Sequence, residues 1–209
     1  MKIIIFGASG RLGKYVVQQA LEAGHLVTAF VRTPSKLGIE HDALTVLQGD
    51  ITHFGEVEQA IAGQEAVISV LGPTRPLVPG MMELAAKNIV SVMQAHHIKR
   101  LISITGAGVR DPQDQPGLFD RAMKALLTLM AGEVLRDSQA NVNLIRFSSL
   151  DWTIVRFPRL LDGPHTGKYR VGYVGKGSGI KISRADGADF ILKELVKNEY
   201  IHKMPLVSY

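Results

Sequence analysis

The stretch Lys2-Ile3-Ile4-Ile5-Phe6-Gly7-Ala8-Ser9-Gly10-Arg11-Leu12-Gly13 decides the fold. A short apolar run ends abruptly at a glycine, and the glycines at 7, 10 and 13 lead into a helical pattern over Arg11–Ala23. Each glycine has its own reason to be there. Gly7 permits the sharp turn, Gly10 lets a pyrophosphate come close to the backbone, and Gly13 lets the helix pack against the strand. The start of the helix then offers unpaired N–H donors to an anion. Glycines alone are weak evidence, but here a strand precedes them and a helix follows, as a dinucleotide-binding loop requires.

Outward from this loop, β-rich runs alternate with helical patterns, which calls for parallel βαβ units. Strands are expected at Lys2–Phe6, Leu26–Val31, Leu44–Gln48, Ala66–Val70, Arg100–Ile104, Trp152–Arg156 and, more weakly, Pro205–Ser208. Most are continuously apolar, as strands covered on both faces are. Helices are expected at Arg11–Ala23, Glu56–Ala62, Pro79–His96, within Leu118–Phe147 and at Ala185–Lys197. Gly24 and Gly63 follow two of them, where a left-handed cap favours glycine. Ser183, three residues before Asp186, is the pattern of a helix N-cap. The fold class is therefore α/β, a Rossmann-type doubly wound parallel sheet in three layers. One domain over residues 1–209 is expected, with 157–182 an irregular segment on the substrate side.

With 209 residues and 46% hydrophobic content, the chain can bury a sizeable core. It has no cysteine, which rules out disulfides, zinc-thiolate sites and a catalytic thiol. No metal is expected, because the neighbours His96 and His97 do not face each other on a helix and have no third ligand nearby. The net charge of +5 comes from scattered Lys and Arg without aromatic interleaving, so nucleic acid is not an expected partner. Neither is a membrane, and a cytoplasmic location is expected. The positive balance instead suits anionic small molecules.

The end of the second strand separates NAD from NADP. A carboxylate there would accept from the ribose 2′-OH, whereas an arginine suits a 2′-phosphate. The segment Val31-Arg32-Thr33-Pro34-Ser35-Lys36 has no carboxylate, so NADP(H) is the expected cofactor. Asp50, after the third strand, reads either as an acceptor for the adenine amino group or as a helix cap.

The chain resembles the atypical short-chain dehydrogenase/reductases, the NAD(P)H-binding group that includes biliverdin-IXβ reductase/flavin reductase and the NmrA-like proteins. The likeness rests on Ile5–Gly10, Val31-Arg32, Gly49-Asp50, Val70-Leu71-Gly72, Ala86–Val90, Ser183–Asp186 and above all Leu150-Asp151-Trp152-Thr153-Ile154-Val155-Arg156. The resemblance implies that Gly7, Ser9, Gly10, Arg11 and Leu12 hold the pyrophosphate and that Arg32, Ser35 and Lys36 surround the 2′-phosphate. It further implies that Asp50 and Ile51 frame the adenine, and that Leu71 and Gly72 line the nicotinamide ribose. Pro158 and Arg159 would flank the nicotinamide and the substrate entrance.

Two departures shape the functional reading. Conventional short-chain enzymes use a Tyr with a Lys four residues later as proton donor, and no Tyr of this chain has that Lys. After the fifth strand, Gly106 stands where the biliverdin-reductase-like enzymes carry a functional Ser, leaving Thr105 as a candidate catalytic hydroxyl or a structural one. A conjugated acceptor needs no such donor, because its delocalised system takes a hydride and water supplies the proton. The expected function is reduction of a flavin, bilin or quinone, planar and anionic; the alternative is a non-catalytic NADP(H)-binding redox sensor. The chain is expected as a monomer or weak homodimer. The apolar set Leu118, Phe119, Met123, Leu126, Leu127, Leu129 and Met130 reads as core, with a substrate lid or dimer contact as the alternatives. Arg75, Arg110, Arg159, Lys168 and Arg170 read as exposed cations able to meet a substrate anion.

Overall fold

The computed structural model describes residues 1–73, 76–175 and 178–209, without the side chains of residues 119, 120, 123, 124, 126, 127 and 130. Arg75 and most of the apolar set at 118–130 therefore lie outside the described residues. Strands β1 (Lys2–Phe6), β2 (Leu26–Val31), β3 (Leu44–Gln48), β4 (Ala66–Ser69), β5 (Arg100–Gly106) and β6 (Asp151–Phe157) alternate with helices α1 (Gly13–Glu22), α2 (Phe54–Ile61), α3 (Met81–Ala95) and α4 (Leu118–Arg146). Three short strands follow, β7 (Arg159–Leu161), β8 (Arg170–Gly172) and β9 (Lys181–Ser183), then α5 (Arg184–Lys197) and β10 (Leu206–Ser208). The main sheet runs β3-β2-β1-β4-β5-β6-β10-β8, parallel except for the antiparallel β10–β8 edge. The stretch expected to be irregular thus contains strands, each of three residues and too short for a periodic pattern to reveal.

The apolar run of β1 feeds two cores, because successive strand side chains point to opposite faces. Ile3 and Ile5 join a cluster with Val16, Val17 and Ala20 of α1 and Ile191 and Leu195 of α5. Ile4 and Phe6 join a second cluster with Val57 of α2, Ile89 and Met93 of α3, and Val142 and Ile145 of α4. Helices α1 and α5 therefore cover one face, and α2, α3 and α4 the other. Trp152 belongs to the second core.

The expected punctuation is present. Gly24 and Gly63 take φ of +78° and +75° just beyond α1 and α2. Ser183 Oγ accepts from the Asp186 amide at 3.0 Å and caps α5. His96 and His97 stand at the exposed end of α3. Helix α4 is broken at Ala131, where φ is −142° and ψ is 35°. Before that break Leu118 and Leu129 are 84% and 85% exposed, so core packing is wrong for these two. No helix among the described residues is long and apolar enough to cross a membrane.

Candidate dinucleotide and substrate site

In a parallel sheet every strand delivers its C-terminal residue to one edge, and the winding direction changes between β1 and β4. The loops after those two strands meet there. Gly7 has φ of +80°, and a Cβ on it would lie 2.8 Å from the Val70 carbonyl oxygen. Gly13 sits still closer, since its Cβ would come within 2.1 Å of the Gly7 oxygen. Between them the Gly10 amide donates to Gly7 O at 2.9 Å, closing the turn. The amides of Ser9, Arg11 and Leu12 donate to no acceptor among the described residues. They are the unpaired donors an oxyanion requires, so the loop fits a pyrophosphate.

At the next strand end, Arg32 is exposed, and Ser35 and Lys36 lie in an exposed single helical turn, Pro34–Lys36. Folding adds a carboxylate that the local sequence lacked. Asp50 ends up close enough to Arg32 to feel its charge, and its carboxyl is held below the ordinary range, first by the Thr52 amide and to a lesser degree by Arg32. Its Oδ1 accepts from Thr52 N at 2.9 Å and Thr52 Oγ1 at 2.8 Å, forming a turn before α2, whose N-cap position is His53. Asp50 Oδ2 makes no hydrogen bond among the described residues. Ile51 is a core residue, 7% exposed, and its carbonyl accepts from Asn88 Nδ2 at 2.8 Å.

Beyond β4 a pocket of about 160 Å³ opens. Leu71, Gly72 and Pro73 form one side, and Ile104, Thr105 and Gly106 form its floor at the end of β5. Phe157, Pro158 and Leu160, following β6, form the far side. The remaining wall is Met82 of α3 with Ser138 and Asn141 of α4, residues the sequence reading did not single out. The signal for the two α4 residues was a helical one: the polar residues Asp137 and Ser138 stand four and three positions before Asn141, each at a spacing that makes neighbours on a helix surface. Arg159 is exposed next to Pro158.

Among the described residues, no Tyr, Lys or other ionisable side chain lines this pocket. The hydroxyls of Tyr169 and Tyr209 are committed elsewhere, to Asp189 and Asp186 at 2.7 Å each. Burial, reinforced by Asp189, pushes the Tyr169 hydroxyl far above its ordinary pKa. Thr105 has a hydroxyl with no partner among the described residues.

The loop that leaves β5 is fastened by a buried ion pair. Arg156 of β6 is 0% exposed and grips Asp114 through two hydrogen bonds of 2.7 and 2.8 Å. Its Nε donates to Met204 O at 2.8 Å, and Asp114 also accepts from the amides of Asp111 (2.9 Å) and Val174 (3.0 Å). Burial pushes the Asp114 carboxyl up, but the hydrogen bonds from Arg156 and Asp111 outweigh it and hold the group below its ordinary value. A second carboxylate, Asp186, fastens the 162–169 loop by accepting from Thr166 N, Thr166 Oγ1 and Gly167 N at 2.7, 2.7 and 2.8 Å.

A parallel sheet in this order, a glycine loop at its switch point and a pocket beside it define a Rossmann-type fold with a candidate dinucleotide site. The chain belongs to the NAD(P)H-binding family, whose model matches residues 7–198. It is 30% identical to the uncharacterized protein YwnB of Bacillus subtilis, over 96% of this chain and 94% of that protein. It is also 34% identical to a probable pinoresinol-lariciresinol reductase 3 of Arabidopsis thaliana, but over 48% of this chain and only 32% of that protein. Among solved structures, a short-chain dehydrogenase/reductase from Veillonella parvula in complex with NADP superposes with a TM-score of 0.82 at 20% identity, covering 100% of this chain and 94% of that one.

Proposed function

We propose that this protein is an NADPH-dependent reductase that passes a hydride to a planar conjugated acceptor of the flavin, bilin or quinone kind. The observation that carries this reading is the pocket at the ends of β4, β5 and β6: it adjoins the dinucleotide loop, is mostly apolar and, among the described residues, contains no proton donor of the Tyr/Lys type. Bound NADPH would supply the hydride, two electrons with one proton, and water the second proton of the reduced acceptor.

On this reading Gly7, Ser9, Gly10, Arg11, Leu12 and Gly13 receive the pyrophosphate. Arg32, Ser35 and Lys36 receive the 2′-phosphate, with three exposed polar or cationic side chains against the single charge of Asp50. Asp50 offers its free oxygen to the adenine, and Ile51 backs it from the core. Leu71 and Gly72 lie along the nicotinamide ribose, while Pro158 and Phe157 wall the place where acceptor and nicotinamide stack. Any anionic group on the acceptor lies at the rim, where Arg159 is exposed, because the described residues lining the pocket carry no counter-charge.

The test is NADPH oxidation by the purified protein with flavins, bilins and quinones in turn. At least one acceptor is expected to accelerate oxidation above the protein-free rate. Thr105→Ala should cost less than the 10²–10⁴-fold typical of a removed general acid. Arg32→Ala should weaken NADPH about ten- to hundredfold and leave NADH nearly unchanged. Tight NADPH binding without any acceptor turnover would overturn the reductase reading in favour of a sensor.

A further inference from the structure

One polar group of the pocket has a fixed hydrogen-bonding sense. Asn141 is 4% exposed, and its Nδ2 donates to the Met82 carbonyl oxygen at 2.9 Å. That bond commits the amide's donor end to α3 and so fixes the orientation of the amide. The Oδ1 has no partner among the described residues, on a side chain that lines the pocket. One turn earlier on the same face, Ser138 lines the pocket too, with a hydroxyl equally without a partner among the described residues.

The wall that presents this pair is well braced. Asp137, adjacent to Ser138, accepts from the amides of Met82 at 3.2 Å and Glu83 at 3.0 Å, tying α4 to the first turn of α3. Positions 138 and 141 are therefore held in place.

An amide oxygen without a partner among the described residues, on a side chain that lines a pocket, is an acceptor, and leaving it unpaired once a bound ligand covers it is costly. A ligand that satisfies it must bring an N–H or O–H. A charged group is disfavoured at this spot, because none of the described residues lining the pocket would neutralise it. We propose, building on the reductase reading, that the acceptor presents an uncharged N–H beside a carbonyl, the edge of an imide or lactam. Asn141 Oδ1 accepts from the N–H, and Ser138 Oγ donates to the adjacent carbonyl. Asn141 and Ser138 are thus specificity residues that favour flavin- and bilin-like acceptors over quinones, which lack the donor.

The test uses riboflavin and 3-methylriboflavin, which differ by a methyl on the imide nitrogen. Both are titrated into protein saturated with NADP⁺, flavin fluorescence giving affinity, and both are then supplied as acceptors with NADPH. The wild type should bind riboflavin about tenfold more tightly than its methylated form. Asn141→Leu should bring that ratio close to one, and Ser138→Ala, which leaves the bond from Asn141 to Met82 intact, should weaken both flavins about threefold. Unchanged NADP⁺ affinity shows that each variant is folded. Equal affinities in the wild type, a ratio that survives Asn141→Leu, or failure of both flavins to bind would overturn the inference. Selective binding without NADPH oxidation would uphold it and overturn the reductase reading, whereas turnover of both flavins with equal KM would do the reverse.

Discussion

At the scale of single residues, the three loop glycines are not equivalent. Gly7 and Gly13 are needed by the fold: one has a left-handed φ, and a side chain on either would strike backbone oxygens at 2.8 and 2.1 Å. Gly10 differs, because an added Cβ would meet only Gly7 O, at 3.0 Å, on a residue that is otherwise exposed. Gly13→Ala is therefore expected to destabilise by about 1–3 kcal/mol or more. Gly10→Ala should melt close to wild type while NADPH affinity falls at least tenfold, since its Cβ takes the place of an approaching phosphate. Thermal melts and calorimetry on the two variants check this; a Gly10→Ala protein with undiminished affinity would place the phosphates elsewhere. Arg32 shows where local reading stops. The absence of a carboxylate between Val31 and Lys36 was plain, but Asp50, eighteen positions away, comes into its range only through the pairing of β2 with β3.

At the scale of elements, α3 begins at a glycine with φ of +73° and no side-chain cap of its own. Its cap comes from α4, through Asp137, whose negative charge also suits the positive end of a helix. Asp137→Ala should cost about 1–2 kcal/mol, which in a chain of this size lowers Tm by roughly 2–8 °C. Because Met82 is both a pocket residue and a recipient of this cap, acceptor binding should weaken more than NADP⁺ binding. Calorimetric melts together with the two titrations measure it, and an unchanged Tm would mean that the cap contributes nothing. A cap donated between helices leaves no local pattern, whereas the Ser183 cap of α5, within its own turn, was legible from spacing.

For the whole molecule, Arg156 and Asp114 join β6, the loop after β5 and Val174, two residues beyond β8. Their pairing is buried, so removing one partner strands the other. Asp114→Asn is expected to destabilise by about 3–5 kcal/mol in urea unfolding. The same pair predicts a direction with pH. Asp114 and Asp186 both have carboxyls held below their ordinary values despite burial, by the hydrogen bonds described above for Asp114 and by those from Thr166 and Tyr209 for Asp186. A carboxyl depressed below its unfolded pKa of about 3.9 stabilises the fold above that pH, and the stabilisation is lost as pH falls through the folded pKa. Stability should therefore drop steeply below about pH 4 in the wild type and less steeply in Asp114→Asn. Parallel slopes for the two proteins would remove Asp114 from the account.

The fold could be read from the chain because its evidence is local: apolar runs of strand length, helical periodicity between them, and glycines where the backbone must turn or approach closely. The dinucleotide loop could be read for the same reason, since strand, turn and helix are contiguous. The substrate side was only partly legible. Thr105, Leu71, Gly72 and Pro158 were reached by counting to the ends of strands, but Met82, Ser138 and Asn141 come from two helices whose facing is set by packing. Three-residue strands, a cap shared between helices, and an amide with one end committed to a neighbouring helix all depend on partners distant in sequence. Periodicity reports which face of an element is apolar; only the packed tertiary structure decides what that face meets and which polar atoms are left pointing into a pocket.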